Sequence, residues 1–478
     1  MKKILSLLAF VLSLCTYAQT LISHNYLSTS TASQLAILSP KASFNVDLYK
    51  ITYHTTDING NPTVASGAVA VPHVTSTCNT FPLGAYCHGT VVLKADVPSN
   101  NNSESLIGKL LASTGYVYTM PDYLGLGDNL GLHPYLHAQT EATATLDALK
   151  ATRELIDTLN ATAAQNIALT DSLVLTGYSQ GGHAAMATFK YIQDNNLYTD
   201  YNVIAAAPAS GPYNLSGSQA AVLTSDQPYS NPAYVFYLIM GLNQVYGNIY
   251  NSPSDIFKAP YDTLIPPYFN GNYPIDSINA KLPLKLSDFM QDTVLANFKN
   301  DSVNKTHPLW QALIANDNYD WNPQRPLRMY YCTADEQVDY RNSLVAKDSM
   351  NAQGATDVQA VFSGNLNHFN CIFSAILGAS NFADTLSGGC SYNNNISITE
   401  AKSPHFKLYP NPVQNTLHIE GVSGTSATLT MFNLSGKMVA QWLDFSGSVS
   451  ISHLPEGVYL LKLTQDGQSW QTKMIKTN

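Results

Sequence analysis

The feature that most constrains this chain is a serine set in Gly177-Tyr178-Ser179-Gln180-Gly181. A G-x-S-x-G pentapeptide recurs by chance, so its setting decides its meaning. The β-rich run Leu173-Val174-Leu175-Thr176 precedes it, and the helix formers Ala184-Ala185-Met186-Ala187 follow. A serine between strand and helix sits in a tight turn that lifts its hydroxyl clear of the sheet, and glycines on either side let neighbouring backbone pass closely. The helix N-terminus beyond it favours developing negative charge. The pattern predicts a nucleophile elbow, with Ser179 as nucleophile.

The flanking sequence fits a sheet that could carry such an elbow. Residues 45–72 read as a hairpin around the turn cluster Asp57-Ile58-Asn59-Gly60-Asn61-Pro62. Strands are predicted at 82–87, 116–120, 172–176 and 202–207, with helices at 105–113, 140–160 and 182–193 between them. Leu146, Leu149, Ile156 and Leu159 give the second helix its apolar face. This alternation predicts an α/β fold with a mostly parallel sheet and crossover helices. It stops at 213–325, a stretch rich in Tyr, Pro and Asn with one apolar segment at 234–246, which reads as an inserted cap. It resumes with a strand at 327–332, a helix from 341 to about 352, a strand at 358–362 and a helix near 369–377. A polar linker at 391–404 leads to a tail, 405–478, of short alternating strands punctuated by Gly436, Gly447 and Gly457. That tail predicts a small antiparallel β-sandwich.

In folds built on this elbow, the acid and then the histidine follow the serine in chain order. Of twelve histidines, those before Ser179 and those in the tail are thereby set aside. His307 falls in the cap. His183 lies one turn into the elbow helix, too local to reach the hydroxyl, and reads as a packing residue. His368 remains, in Gly364-Asn365-Leu366-Asn367-His368-Phe369, just after the strand at 358–362. Its imidazole suits a general base that takes the Ser179 proton and returns it to the leaving group. The acid belongs after the preceding strand, where Asp335 follows by three residues, with Glu336 and Asp339 as competitors. Two backbone N–H groups must hold the oxyanion. Gln180 supplies one; Thr90, in Cys87-His88-Gly89-Thr90, is chosen for the other, with Gly89 as the alternative. Asp128, His133 and His137 could form a metal cluster, but Pro134 interrupts the helix that would align an i, i+4 pair, and these residues read as bracing the rim. No metal or cofactor is expected.

Composition narrows the classes further. Hydrophobic residues make up 45% and charged residues 12%, which is globular and not disordered. A net charge of -9 argues against nucleic acid as partner. The 29 tyrosines fit ordinary interface and rim positions, with a groove for a bulky substrate as the alternative. Residues 1–18 read as a secretory signal peptide: Lys2 and Lys3, an apolar stretch at 4–14, then Thr16-Tyr17-Ala18 before Gln19. No other stretch is long and apolar enough to span a membrane. Cys78 with Cys87 and Cys371 with Cys390 are the sequence-near pairs, leaving Cys332 as a buried thiol, although spacing does not determine connectivity.

Gly177-Tyr178-Ser179-Gln180-Gly181-Gly182, with Pro121-Asp122-Tyr123-Leu124-Gly125-Leu126-Gly127 and His133-Pro134-Tyr135, resembles the secretory lipase family of α/β-hydrolases over residues 45–380. The resemblance implies an α/β-hydrolase fold, lipase or esterase activity, a cap over the site and a triad matching Ser179, Asp335 and His368. The His-Gly-Thr of the oxyanion loop departs from the family's fungal members, so acyl-chain preference does not carry over. The tail segments Lys407-Leu408-Tyr409-Pro410-Asn411-Pro412, Leu434-Ser435-Gly436-Lys437 and Pro455-Glu456-Gly457-Val458-Tyr459-Leu460 are similar to the type IX secretion sorting domain. That likeness implies the type IX machinery as partner, passage through a Gram-negative periplasm and outer membrane, and release or surface attachment. A carbohydrate-binding sandwich using Trp442 and Trp470 is the alternative for the tail. The leading function is an exported serine ester hydrolase acting on a small-molecule or lipid ester. Its rivals are a serine peptidase of the prolyl-peptidase kind and a non-catalytic binder on a hydrolase scaffold.

Overall fold

Runs such as Leu173 to Leu175 and Ala205 to Ala207 are apolar on consecutive residues, so both faces of their strands must be covered. That is the condition of a parallel sheet with helices on both sides. The structure is a computed structural model and describes residues 19–163, 165–225, 227–387, 406–422, 427–433, 438–465 and 468–477. Residues 1–18, read above as a signal peptide, the stretch 391–404 read as a linker, Cys390 and the 434–437 tail motif lie outside the described residues.

Strands β1 (Leu21–Ser30), β2 (Val46–Thr56), β3 (Pro62–Pro72), β4 (Thr80–Cys87), β5 (Val117–Pro121), β6 (Ala168–Tyr178), β7 (Asn202–Ala209), β8 (Leu327–Tyr331) and β9 (Val358–Phe362) form one sheet. Their order is β1-β2-β3-β5-β4-β6-β7-β8-β9. The β1–β2, β2–β3 and β3–β5 pairs are antiparallel. All pairs from β5–β4 to β8–β9 are parallel. The expected hairpin is the β2–β3 pair, closing from Thr56 opposite Pro62 to Val46 opposite Pro72. The first strand was not anticipated. It pairs at the sheet edge and is mostly exposed, so its sequence lacks the apolar alternation that marks a half-buried strand.

The longer helices include α1 (Ser103–Ala112), α2 (Ala138–Ala163), α3 (Gln180–Asp194), α4 (Ala233–Tyr246), α5 (Pro308–Ala315), α6 (Arg341–Ala352) and α7 (His368–Leu386). Leu146, Leu149 and Ile156 of α2 and Met186 and Phe189 of α3 pack with Leu173 and Leu175 on one face. Leu106 and Leu110 of α1 and Ala375 and Ile376 of α7 pack with Tyr86 and Val174 on the other. No helix is long and apolar enough to cross a membrane among the described residues.

Between β7 and β8 the chain leaves the sheet and forms short helices around α4 and α5. Their side chains make a separate apolar cluster. Phe236 of α4 stacks on Phe257 at 3.7 Å and lies 5.3 Å from Phe289. The apolar segment noted at 234–246 is therefore the central helix of this cluster.

The cysteine pairing differs from expectation. Cys332 is bonded to Cys371, with an S–S distance of 2.08 Å and a Cα–Cα distance of 6.0 Å. Cys332 is thus no free thiol, and Cys371 is not paired with Cys390. Cys87 is a buried free thiol, so it does not pair with Cys78 either. The sheet explains the bridge: β8 and β9 run parallel, and the turn after β9 returns α7 beside the end of β8. Sequence proximity has no access to that contact.

In the tail, β10 (Lys407–Tyr409), β11 (Thr416–Glu420) and β14 (Ser448–Ser450) form one sheet, and β12 (Thr428–Asn433), β13 (Met438–Trp442), β15 (Gly457–Gln465) and β16 (Gln468–Lys476) form another. Their pairings are antiparallel, as expected. Leu417, Leu429, Leu461 and Met474 fill the space between, and Trp442 packs half-buried against them.

The aromatic cluster between β7 and β8 yields a stability prediction. Phe236 is fully buried, so Phe236→Ala should cost about 3–5 kcal/mol of unfolding free energy. Urea unfolding followed by tryptophan fluorescence checks this, and a loss below about 1 kcal/mol would show that the cluster does not hold the segment together.

Candidate active site

Ser179 sits between the last residue of β6 and the first residue of α3, with φ 59° and ψ -122°. A non-glycine residue adopts positive φ only when its surroundings force it. Here Ser179 N–H donates to Ala209 O at 3.0 Å, and Ser179 O accepts from the N–H of Gly182 and His183. The glycines permit the close approach. A Cβ on Gly181 would lie 1.8 Å from Cys87 O, and one on Gly177 would lie 2.1 Å from Gly181 O. The elbow helix is thus pressed against the end of β4, which no side chain would allow.

Asp335 and His368, chosen by chain order, lie together. His368 Nδ1 is 2.9 and 2.8 Å from the two Asp335 carboxylate oxygens. The His368 and Asp335 side chains are 9% and 1% exposed, so the pair is shielded from water. Asp335 Oδ1 also accepts from the N–H of Gln337 and Val338, at 3.1 and 2.9 Å. The competitors are engaged elsewhere. Glu336 accepts from His368 N–H at 3.0 Å, at the start of α7, and Asp339 pairs with Arg341. The Tyr178 hydroxyl donates to His368 O, which ties the residue before Ser179 to His368. Because β6, β8 and β9 are parallel, Ser179, Asp335 and His368 all follow the C-terminal edge of one sheet. There, loops converge to form sites in such folds. The Ser179 hydroxyl makes no hydrogen bond among the described residues.

The loop after β4 lies beside the serine. A Cβ built on Gly89 would be 4.0 Å from Ser179 Cβ and 3.7 Å from Tyr178 O. Gln180 opens α3, so its N–H is one of the helix's first donors without an intrahelical acceptor. Thr90 bonds through its hydroxyl to the Tyr135 hydroxyl at 2.8 Å.

Sequence reasoning missed a buried polar layer behind Gln180. Glu141 of α2 is fully buried, and its carboxylate accepts from Gln180 Nε2 at 2.9 Å and from His183 Nδ1 at 2.7 Å. His183 Nε2 donates to Asn316 O at 2.9 Å. His183 is thus part of an ion pair, not of the apolar packing. Burial opposes charge on its ring, but the Glu141 carboxylate outweighs burial and raises its pKa above 6.5. His133 Nδ1 is 2.7 Å from Leu124 O and its Nε2 is 2.6 Å from Gln180 Nε2. An amide nitrogen only donates, so His133 carries its proton on Nδ1 and accepts on Nε2. Burial lowers its pKa to about 3. His137 is lowered to about 4, again chiefly by burial, and meets Thr140 Oγ1 at 3.0 Å. Asp128 pairs with Lys50 at 2.8 Å. Asp128, His133 and His137 each serve a separate contact, and His133 braces the residue that follows the serine.

Ser179 and Gln180 line a pocket. Its other walls are largely apolar, including Leu136, Leu215, Leu238 and Leu313, with Tyr135, Tyr229 and Tyr234 among them. Several tyrosines therefore do line a groove. Residues from between β7 and β8 converge on Gln337, two positions past Asp335: the Tyr234 hydroxyl reaches its side-chain oxygen at 3.3 Å, and Gln219 Nε2 reaches its backbone carbonyl at 3.2 Å. On the other wall, Tyr237 stacks on Tyr135 at 4.6 Å and donates to Val91 O at 3.0 Å.

Residues 407–477 match the secretion system C-terminal sorting domain, the sorting module of type IX secretion. A comparison with curated proteins finds no match. Among solved structures, the chain is similar to the rice cell wall degrading esterase LipA from Xanthomonas oryzae, with 28% sequence identity and a TM-score of 0.70. That likeness covers 77% of this chain and 99% of the esterase. It is also similar in fold to lipase A of Candida antarctica in its closed state, at 15% identity and a TM-score of 0.54, covering 76% of this chain and 83% of the lipase. The fold is that of the α/β-hydrolases, and its structural neighbours are esterases and lipases.

The buried layer produces a pH dependence with a defined sign. Unfolded, His133 takes up a proton near pH 6.5; folded, it does so only near 3. Between these values the unfolded chain binds more protons, so stability falls as pH drops from about 6.5 towards 3. Replacing His133→Asn should flatten the unfolding free energy against pH in that window by up to about 1.4 kcal/mol per pH unit. Parallel wild-type and variant curves from urea unfolding at pH 7, 6, 5 and 4 would contradict this.

Proposed function

We propose that this chain is an exported serine ester hydrolase with Ser179 as nucleophile, His368 as general base and acid, and Asp335 as the carboxylate that orients it. The observation that carries the reading is the contact of both Asp335 oxygens with His368 Nδ1, on the same sheet edge as a serine in a positive-φ turn. With Nδ1–H directed at Asp335, Nε2 is left as an acceptor for the Ser179 proton. Attack on the ester carbonyl forms a tetrahedral oxyanion, held by the N–H groups of Gln180 and Thr90. Collapse expels the alcohol with the proton from His368. Water then attacks the acyl-enzyme by the same route and releases the acid.

The apolar pocket beside Ser179 suits an ester with an apolar group, and the likeness to an esterase supports ester over amide cleavage. In this reading residues 19–390 form the hydrolase unit and 213–325 its cap. Residues 1–18 direct export, 391–404 link the two units, and 405–478 engage the type IX machinery. The mature enzyme then acts outside the cell or at its surface.

A fluorophosphonate probe should label the wild-type chain and fail to label Ser179→Ala. p-Nitrophenyl esters should turn over faster than aminoacyl nitroanilides, and Asp335→Asn should lower kcat by about 10,000-fold. Absence of labelling would remove the enzyme assignment, and preference for anilides would replace the esterase with a peptidase.

A further inference from the structure

The disulfide brackets the acid–base pair symmetrically. Cys332 directly follows β8 and precedes Asp335 by three residues, while Cys371 follows His368 by three residues. On a helix, positions i and i+3 lie on one face, so Cys371 and His368 share the side of α7 turned towards the acid loop. The two chain segments are therefore closed into a small ring, at one end by the sulfur bridge and at the other by the Asp335–His368 contact. Both cysteines are fully buried. Other bonds lie to either side: Thr333 N–H donates to Gly364 O at 3.1 Å and the Thr333 hydroxyl meets Asn365 Oδ1 at 3.0 Å, in the turn before α7, while the Tyr330 hydroxyl of β8 donates to Gly378 O at 2.8 Å, in the middle of α7. None of these three holds the first turn of α7. Glu336, on the same irregular loop as Asp335, accepts from His368 N–H at 3.0 Å.

A carboxylate that meets one imidazole N–H with both oxygens tolerates little displacement, and the loop after β8 has no regular structure of its own to limit it. We propose that the Cys332–Cys371 bond is a positioning element for the acid–base pair: it fixes the first turn of α7 against the loop that carries Asp335. This rests on the hydrolase reading above. It assigns the bridge a role in rate that a merely stabilising bond would not have.

The test uses the full chain with both cysteines replaced, Cys332→Ala with Cys371→Ala. A second variant, Cys332→Val with Cys371→Ala, fills more of the vacated volume without restoring the bond. Kinetics on a p-nitrophenyl ester are measured at least 15 °C below each variant's own melting temperature. The expected result is a loss in kcat of about tenfold to a hundredfold with KM within about twofold. Proton NMR of the resting protein should show the low-field His368 Nδ1–H signal in the wild type and its weakening or loss in both variants. Unchanged kcat together with an intact low-field signal would overturn the proposal, as would failure of both variants to fold, which makes the bond purely structural. The NMR readout does not need turnover. A wild type that shows the signal but neither labels nor hydrolyses esters would sink the hydrolase reading alone, while a signal unaffected by removing the bridge would sink the positioning role alone.

Discussion

The turn at Ser179 is the constraint on which the rest of the site depends. One non-glycine residue is held at φ 59°, a conformation that costs about 1–3 kcal/mol and persists only where neighbouring structure over-determines it. What over-determines it is visible on every side. Its N–H is taken by Ala209 at the end of β7, its carbonyl starts α3, and Gly181 lets the helix touch the carbonyl of Cys87 at the end of β4. Three adjacent strands thus fix one backbone position. The serine hydroxyl is placed by the sheet, with no help from side-chain packing of its own.

Behind that turn lies the polar layer formed by Glu141, Gln180, His133 and His183. A buried carboxylate is tolerable only when its lone pairs are used and its charge is matched. Glu141 meets both conditions, with one oxygen on Gln180 and the other on His183. The far side of His183 is held by Asn316, which follows α5, so this layer joins the elbow helix to the segment between β7 and β8. Gln337 and Tyr135 make comparable joins on two other walls. The segment that walls the pocket is consequently fastened both to the elbow helix and to the loop that carries Asp335.

The parts of the molecule that were legible in the sequence are those written in local signals. The elbow could be read because strand, glycines and helix are contiguous. That His368 and Asp335 would lie together followed from chain order and from strands whose apolar runs were clear. The α6 and β9 segments were read with their observed limits. What was illegible depends on contacts distant along the chain. Glu141 looks like any acidic residue in the first turn of a helix, and only the packing of α2 on α3 reveals it as buried. The bridge from Cys332 to Cys371 spans 39 residues and is created by the parallel return of the chain. Strand β1 lacks an apolar alternation because its edge faces water. Within 213–325, read as an insertion with one apolar segment, the shorter helices were not legible because they obtain their order from a shared aromatic cluster.

Cys87 sits at the end of β4, fully buried, where its carbonyl receives Gly181 and its thiol lies 3.8 Å from Thr145 Oγ1. Burial pushes its pKa up to about 12, and a thiol that does not ionise neither attacks nor exchanges. In the finished molecule it is chemically silent. In a nascent chain it is an ordinary thiol among others that must find their partners. The packing that shapes the elbow thus also keeps one cysteine out of the exchange.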